Sequence, residues 1–301
     1  ILYSLQMAIA GDLLMAVPSW VSYAPHARMV GSAVIPVPVT LDDEGYHIDC
    51  DVFRDVIRKA RAAGQNPSKI ILNAPNNPTG LCIPEDELRQ IAKVCDEEDI
   101  FIISDEIYGE VKFDGTYSSV AKYAPHRTAV STGLSKHLSL GGWRVGVGLI
   151  PKACKGLAQA MTQIASETWS CVPTPIQKAS IVAYAGHEDI TRHVTDSAAI
   201  HGLMNQTVAK ALKDAGVNCP VPQGAFYTYP DFTSFADALK AKGIHDSVRL
   251  QEHLIEKYNI ATLPGIAFGE APETLTLRLS ACDYDGAAAL EAYQAGETLD
   301  E

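Results

Sequence analysis

The chain has 301 residues, 47% of them hydrophobic, and a formal charge of −12 with a pI near 5.2. That length allows a large buried core and, at about 150 residues each, roughly two domains. The acid excess argues against a nucleic-acid groove or an anionic membrane surface as main partner, since either attracts a net basic face. No apolar run reaches membrane-spanning length and no signal-peptide pattern opens the chain, so the sequence reads as soluble and cytoplasmic. Seven cysteines without a CxxC pair read as reduced, mostly buried thiols, and nine histidines show no metal-ligand spacing, so no metal site is expected.

In chain order, ILYSLQMAIAGD opens on an apolar helical pattern (Ile1, Leu2, Leu5, Ile9) that ends at Gly11 and has no capping residue before it. The sequence therefore reads as starting inside an element, with an upstream segment missing. Candidate strands follow at 12–17, 32–39, 69–75, 100–105, 127–132 and 144–150. Between them, DVFRDVIRKARAA sets Val52, Phe53, Val56, Ile57 and Ala60 on one helical face, and PEDELRQIAKVCDEE does so with Leu88, Ile91, Ala92 and Cys95. Pro84 suits the first turn of that second helix. Such alternation of strands and helices predicts an α/β fold, a mostly parallel (mixed) sheet with helices on both faces.

Beyond Pro151 long helical segments are expected over 151–168 and 173–215, broken near Gly186 and His187. A smaller C-terminal α+β domain should follow, with strands in AFYTYPDF (225–232), IATLPG (260–265) and TLTLRLSAC (274–282) and an amphipathic helix at 248–258. The boundary falls in the helix before Gly216, giving a large domain over 1–205 and a small one over 206–301.

Ligands of open α/β sheets bind outside the carboxyl ends of the strands. At one such end, NAPNNPTG reads by itself as a plain turn. At the next, SDEIYGE places Asp105 and Tyr108; a carboxylate there is either paired with a cation or exposed in a loop. The third end carries TGLSKHLSLGGWRVG, residues 132–146. Lys136 in a partly dry pocket would be a nucleophile for carbonyls, and Arg144 offers a planar fork suited to phosphate. Read alone, Lys136 is by default an ordinary solvated cation; aimed at one ligand, a lysine for an aldehyde and an arginine for a phosphate would make a site for pyridoxal phosphate.

GLSKHLSLGGWRVG resembles the pyridoxal-phosphate attachment pattern of the class I/II aminotransferases, the fold-type I family. NNPTG, SDEIY, PSWVSY, PQGAFY, PGIAFG and LRLSA resemble further family segments in the family order, so the resemblance covers nearly the whole chain. It implies that Lys136 is the Schiff-base lysine and that Asp105 pairs with the pyridine nitrogen, making the ring an electron sink. It further implies Tyr108 and Asn77 as donors to the ring's phenolic oxygen, Trp20 stacked on the ring, and Arg144 on the phosphate. Where other members carry Ser three residues before the lysine this chain has Gly133, so a hydroxyl must come from Ser131, Thr132 or Ser135. Arg278 resembles the arginine that grips the substrate α-carboxylate, beside Asn77.

The implied activity is ping-pong transfer of an amino group between an L-amino acid and a 2-oxo acid, in a homodimer with shared sites. Thr174, Pro175 and Gln177 resemble family residues near the subunit boundary. Three family features are expected upstream or from a partner: a Gly/Ser-rich phosphate cup, an arm over the substrate, and a tyrosine lent to the phosphate. A second fold-type I reaction, such as C–S lysis, and a weakly active or inactive truncated remnant are the alternative readings.

Overall fold

The β-branched runs of the first half build one six-stranded sheet in a computed structural model that describes residues 1–115 and 117–297. Its strands are β1 (Asp12–Val17), β2 (Val34–Pro38), β5 (Pro67–Asn73), β6 (Phe101–Asp105), β7 (Thr128–Gly133) and β8 (Gly146–Leu149); a hairpin of β3 (Thr40–Leu41) and β4 (Tyr46–His47) stands apart. The order is β2-β1-β5-β6-β7-β8, with every pairing parallel except β7 with β8.

Side chains alternate across this sheet, as the twofold period of a strand requires. Leu14, Ala16, Ile70, Leu72 and Ile102 enter one core cluster, while Leu13, Met15, Ile71, Ile103 and Ala129 enter another on the opposite face. Helices α3 (Cys50–Ala62) and α4 (Glu85–Glu97) cover the first face; α1 (Leu2–Ala8), α2 (Tyr23–Met29) and α5 (Lys155–Thr168) cover the second. Each fully buried Leu or Ile contributes roughly 1.5–3 kcal/mol, so burial on both faces explains why these strands read as continuous apolar runs.

Local signals set the helix starts. The Asp49 carboxylate accepts from the Asp51 and Val52 amides and caps α3. Pro84 stands at the cap of α4, one position before the turn expected for it, and Glu85, Asp86 and Glu87 then meet the positive end of the helix dipole. The expected face of α3 needs correction: Phe53, Ile57 and Ala60 are buried and Val56 packs partly, but Val52 is 40% exposed in the first turn. Lys69, fully buried within β5, spends its ammonium protons on the Ile9 and Gly11 carbonyls, at 2.7 and 2.5 Å, and so ties the α1–β1 turn to the sheet.

The break near Gly186 divides α6 (Thr174–Ala183) from α7 (Glu188–Asp214), which is one 27-residue helix. After it the expected strands shorten to β9 (Tyr227–Thr228), β10 (Leu263–Pro264) and β11 (Leu277–Ser280), in the antiparallel order β10-β11-β9. AFYTYPDF is mostly irregular: Tyr227 and Thr228 form β9, and Asp231 adds isolated bridges to Asn218 and Thr276. The remaining helices are α8 (Ala236–Lys240), α9 (Ser247–Tyr258) and α10 (Gly286–Ala295). Among the described residues no helix is long and apolar enough to cross a membrane, and no cluster of His, Cys, Asp and Glu could hold a metal ion.

Candidate active site

Asp105 ends β6 with its side chain 5% exposed. Among the described residues no ion pair within 4.0 Å neutralises it; instead the Tyr23 hydroxyl donates to its Oδ2 at 2.5 Å. Burial raises this carboxyl to about 6, against the lowering effect of the Tyr23 bond. The same burial, with the Asp105 charge beside it, pushes the Tyr23 phenol upward. Sequence reasoning left Tyr23 without a role: it lies 82 positions from Asp105, and its only local signal was membership of PSWVSY.

The turn after β5 is fastened to the same carboxylate strand. Asn73 Nδ2 donates to the Asp105 carbonyl at 2.9 Å, and its Oδ1 accepts from the Asn77 amide at 2.8 Å. Asn77 Oδ1 in turn accepts from Arg278 Nη1 at 2.9 Å. NNPTG is therefore a turn, as its composition says, whose second asparagine is aimed at an arginine 201 residues away.

Tyr108, 3% exposed, shares a 2.8 Å hydrogen bond with the Tyr227 hydroxyl. Its phenol is raised by burial, with the Tyr227 and Asp105 contacts adding to the effect. Lys136 Nζ lies 5.5 Å from the Tyr108 ring centroid and 5.6 Å from that of Phe226, and makes no hydrogen bond among the described residues. Burial lowers its pKa, helped by the charges of Arg278 and Arg144 and opposed by Asp105. A half-buried amine with no acceptor and a depressed pKa is a nucleophile for a carbonyl.

The other predicted residues gather at a second, more open place. Trp20, Ser131, Thr132, Ser135 and Arg144 line one cavity of about 550 Å³ with Tyr3, His26 and Trp169. Lys136 lines a neighbouring cavity of about 740 Å³ that shares Ser135. Trp20 joins the two groups: its ring meets Tyr23 edge-on at 5.3 Å. Arg144 precedes β8 rather than opening it, in the left-handed region at φ 53°, and its Nη1 donates at 2.8 Å to the carbonyl of Gly141. Gly133, paired with Gly146, offers no hydroxyl.

The donor set suits pyridoxal phosphate. Among the described residues a buried carboxylate lacks a cation, an amine lacks an acceptor, a phenol and an amide stand beside them, and the Arg278 Nε is buried without a partner. A model of the aminotransferase class I and II family matches residues 4–294. The chain belongs to that family.

Among its relatives, the aspartate aminotransferase of Bacillus subtilis (strain 168) is 30% identical over 270 residues, spanning 88% of this chain and 65% of that protein. The asparagine–oxo-acid transaminase of Streptococcus mutans is 32% identical over 285 residues, spanning 92% and 68% respectively. The chain thus spans about two thirds of the length of these curated relatives. Among solved structures of the family, the aspartate aminotransferase of Thermus thermophilus with maleate superposes with a TM-score of 0.80 at 28% identity, covering 98% of this chain and 72% of that one. An aromatic aminotransferase from Pyrococcus horikoshii OT3 matches at 0.80 and 26%, covering 96% and 73%. The fold is the fold-type I aminotransferase fold.

Proposed function

We propose that this chain is a pyridoxal-phosphate-dependent aminotransferase exchanging an amino group between an L-amino acid and a 2-oxo acid. The observation that carries the reading is the buried Asp105, which has no ion pair among the described residues, at the end of the strand beside the one that leads to the half-buried amine of Lys136, itself 5.5 Å from the Tyr108 ring. Family membership and the aminotransferase names of the relatives support it. When bound, the cofactor supplies an aldehyde that condenses with amines and a protonated pyridine ring that takes up the electrons released at Cα.

The chain's own groups would divide the work. Asp105 would keep the proton on the pyridine nitrogen, and that cationic N–H would offset the cost of burying the carboxylate. Lys136 would hold the aldehyde and, once displaced by substrate, carry a proton to and from Cα, its lowered pKa favouring the neutral amine. Tyr108 and Asn77 would donate to the phenolic oxygen. Trp20 would cover a ring face, while Ser135 and Arg144 would meet the phosphate. Arg278, fixed through Asn77, would take the α-carboxylate in a bidentate fork that lysine cannot reproduce.

The same reading divides the chain into a cofactor domain over 1–205 and a small domain over 206–301, with α7 running across the division. It also proposes a homodimer, which the exposed Ile181, Val182 and Tyr184 support, and keeps the cytoplasmic location expected from the sequence. The test combines the purified chain with pyridoxal phosphate and a panel of amino-acid donors, using 2-oxoglutarate or pyruvate as acceptor. A lysine-bound absorbance band that Lys136→Ala abolishes, with one keto acid formed per amino group moved, supports the reading. Sustained ammonia or thiol release from donor alone assigns a lyase instead, and a band that survives Lys136→Ala sinks the lysine assignment.

A further inference from the structure

Tyr227, on β9, has no part in the scheme above, yet it touches two of its members. Its hydroxyl lies 2.8 Å from that of Tyr108, and the two rings meet edge-on at 5.7 Å. Against the face of the Tyr227 ring sits the guanidinium of Arg278, 4.5 Å from the centroid, with the Phe268 ring at 5.2 Å. Apart from these faces the guanidinium holds Asn77 Oδ1, and among the described residues no carboxylate pairs with it. Arg278 is thus positioned by aromatic faces and an amide oxygen, which leaves its charge for an anion that arrives from outside.

The shared bond between the hydroxyls carries a second consequence. Neither hydroxyl has another hydrogen-bond partner among the described residues, and in one O···O contact only one of them donates. Were Tyr108 the donor, it would have no proton left for a ligand. With Tyr227 donating, the Tyr108 proton is free, and an O–H whose oxygen already accepts a bond is itself a stronger donor.

We propose that Tyr227 is a positioning residue of the amino-transfer site, its hydroxyl turning the Tyr108 proton toward the cofactor's phenolic oxygen and its ring face holding Arg278 for the substrate α-carboxylate. This rests on the aminotransferase reading. The two contacts separate by substitution: Tyr227→Phe keeps the ring and loses the hydroxyl, whereas Tyr227→Leu loses both.

Tyr227→Phe should move the protonation midpoint of the bound cofactor's visible band upward, by about 0.3 pH units if cooperative strengthening has its usual size. It should leave the KM for amino acid and oxo acid unchanged. Tyr227→Leu should raise both KM values and the calorimetric Kd for succinate about tenfold, between the sizes of an exposed and a desolvated cation–aromatic contact. A merely structural Tyr227 would alter thermal stability and move neither readout. An unshifted band in Tyr227→Phe, or a succinate Kd within twofold of wild type in Tyr227→Leu, overturns the proposal. If the wild type binds cofactor and succinate but transfers no amino group, the functional reading fails while the band and the Kd still decide the role of Tyr227. Wild-type protein that binds neither sinks both.

Discussion

The two ends of the candidate site are built on opposite principles. At the end proposed for the ring and the carboxylate, Asp105, Tyr23, Asn73, Asn77, Tyr108, Tyr227 and Arg278 are joined through hydrogen bonds and one cation–aromatic contact. These contacts cross between the large sheet and the small one. At the end proposed for the phosphate, Arg144 bonds, among the described residues, only the carbonyl three residues behind it, on a short turn, and the other lining side chains come from separate elements. Electrostatic groups fixed before the ligand arrives cost no reorganisation on binding. The first end is therefore organised in advance for chemistry, while the second must be organised by its ligand.

The sharpest break of this contrast is Asp105→Ala. Amino transfer should fall by a factor on the order of 10² to 10³ with the visible band retained, measured by single-turnover absorbance; near-normal turnover would deny the carboxylate its place at the pyridine nitrogen. Arg144→Gln should show the opposite pattern, weakening cofactor binding by about tenfold while leaving turnover at saturating cofactor within a few-fold.

Asp105 also carries a stability effect with a definite sign. Burial raises the Asp105 carboxyl from 3.8 to about 6, so without cofactor the folded chain keeps a proton that the unfolded chain releases in that window. Stability conferred by the neutral acid is then lost as pH rises through about 6 and is fully present below about 4. Asp105→Asn removes the titration. Cofactor-free Asp105→Asn should exceed wild type by up to ~3 kcal/mol at pH 8, and the gap should close toward pH 4 in urea denaturation. A gap independent of pH would mean that Asp105 is not strained by its burial.

Arg278→Lys tests the substrate side of the organised end. Loss of the fork and of the Asn77 contact should lower kcat/KM by about 30-fold, equivalent to ~2 kcal/mol, mostly through KM. A change under threefold would return Arg278 to a structural part.

The parallel strands were legible because they are buried on both faces, so each appears as an apolar run between turn residues; all six strands of the sheet begin and end within two residues of expectation. β8 was harder. Its sequence, GVGL, says nothing about direction, and its antiparallel pairing with β7 follows from the short connection through Lys136 and Arg144. The small sheet was overestimated because an alternating pattern such as AFYTYPDF signals two faces without saying how far a partner strand extends.

The site divided in the same way. Lys136, Asp105, Tyr108, Asn77 and Arg278 stand in contiguous segments that can be matched one by one, and the folded chain brings them together. Tyr23, Asn73 and Tyr227 earn their contacts across 82, 32 and 119 positions of sequence. No local spacing encodes such pairings, since they arise only when the start of α2, the carboxyl ends of β5 and β6 and the small sheet converge.

The Gly133–Gly146 pairing has a consequence for any attempt to change the phosphate end. A Cβ at Gly133 would stand 2.8 Å from the Val145 carbonyl oxygen and 3.1 Å from the Gly146 Cα, closer than side chains tolerate in a packed strand pair. A side chain at position 133 would therefore press on the 145–146 backbone, which must shift to admit it. A hydroxyl at position 133 is thus coupled to the backbone at 145–146, and Gly133→Ser is expected to lower stability unless a second change moves that backbone.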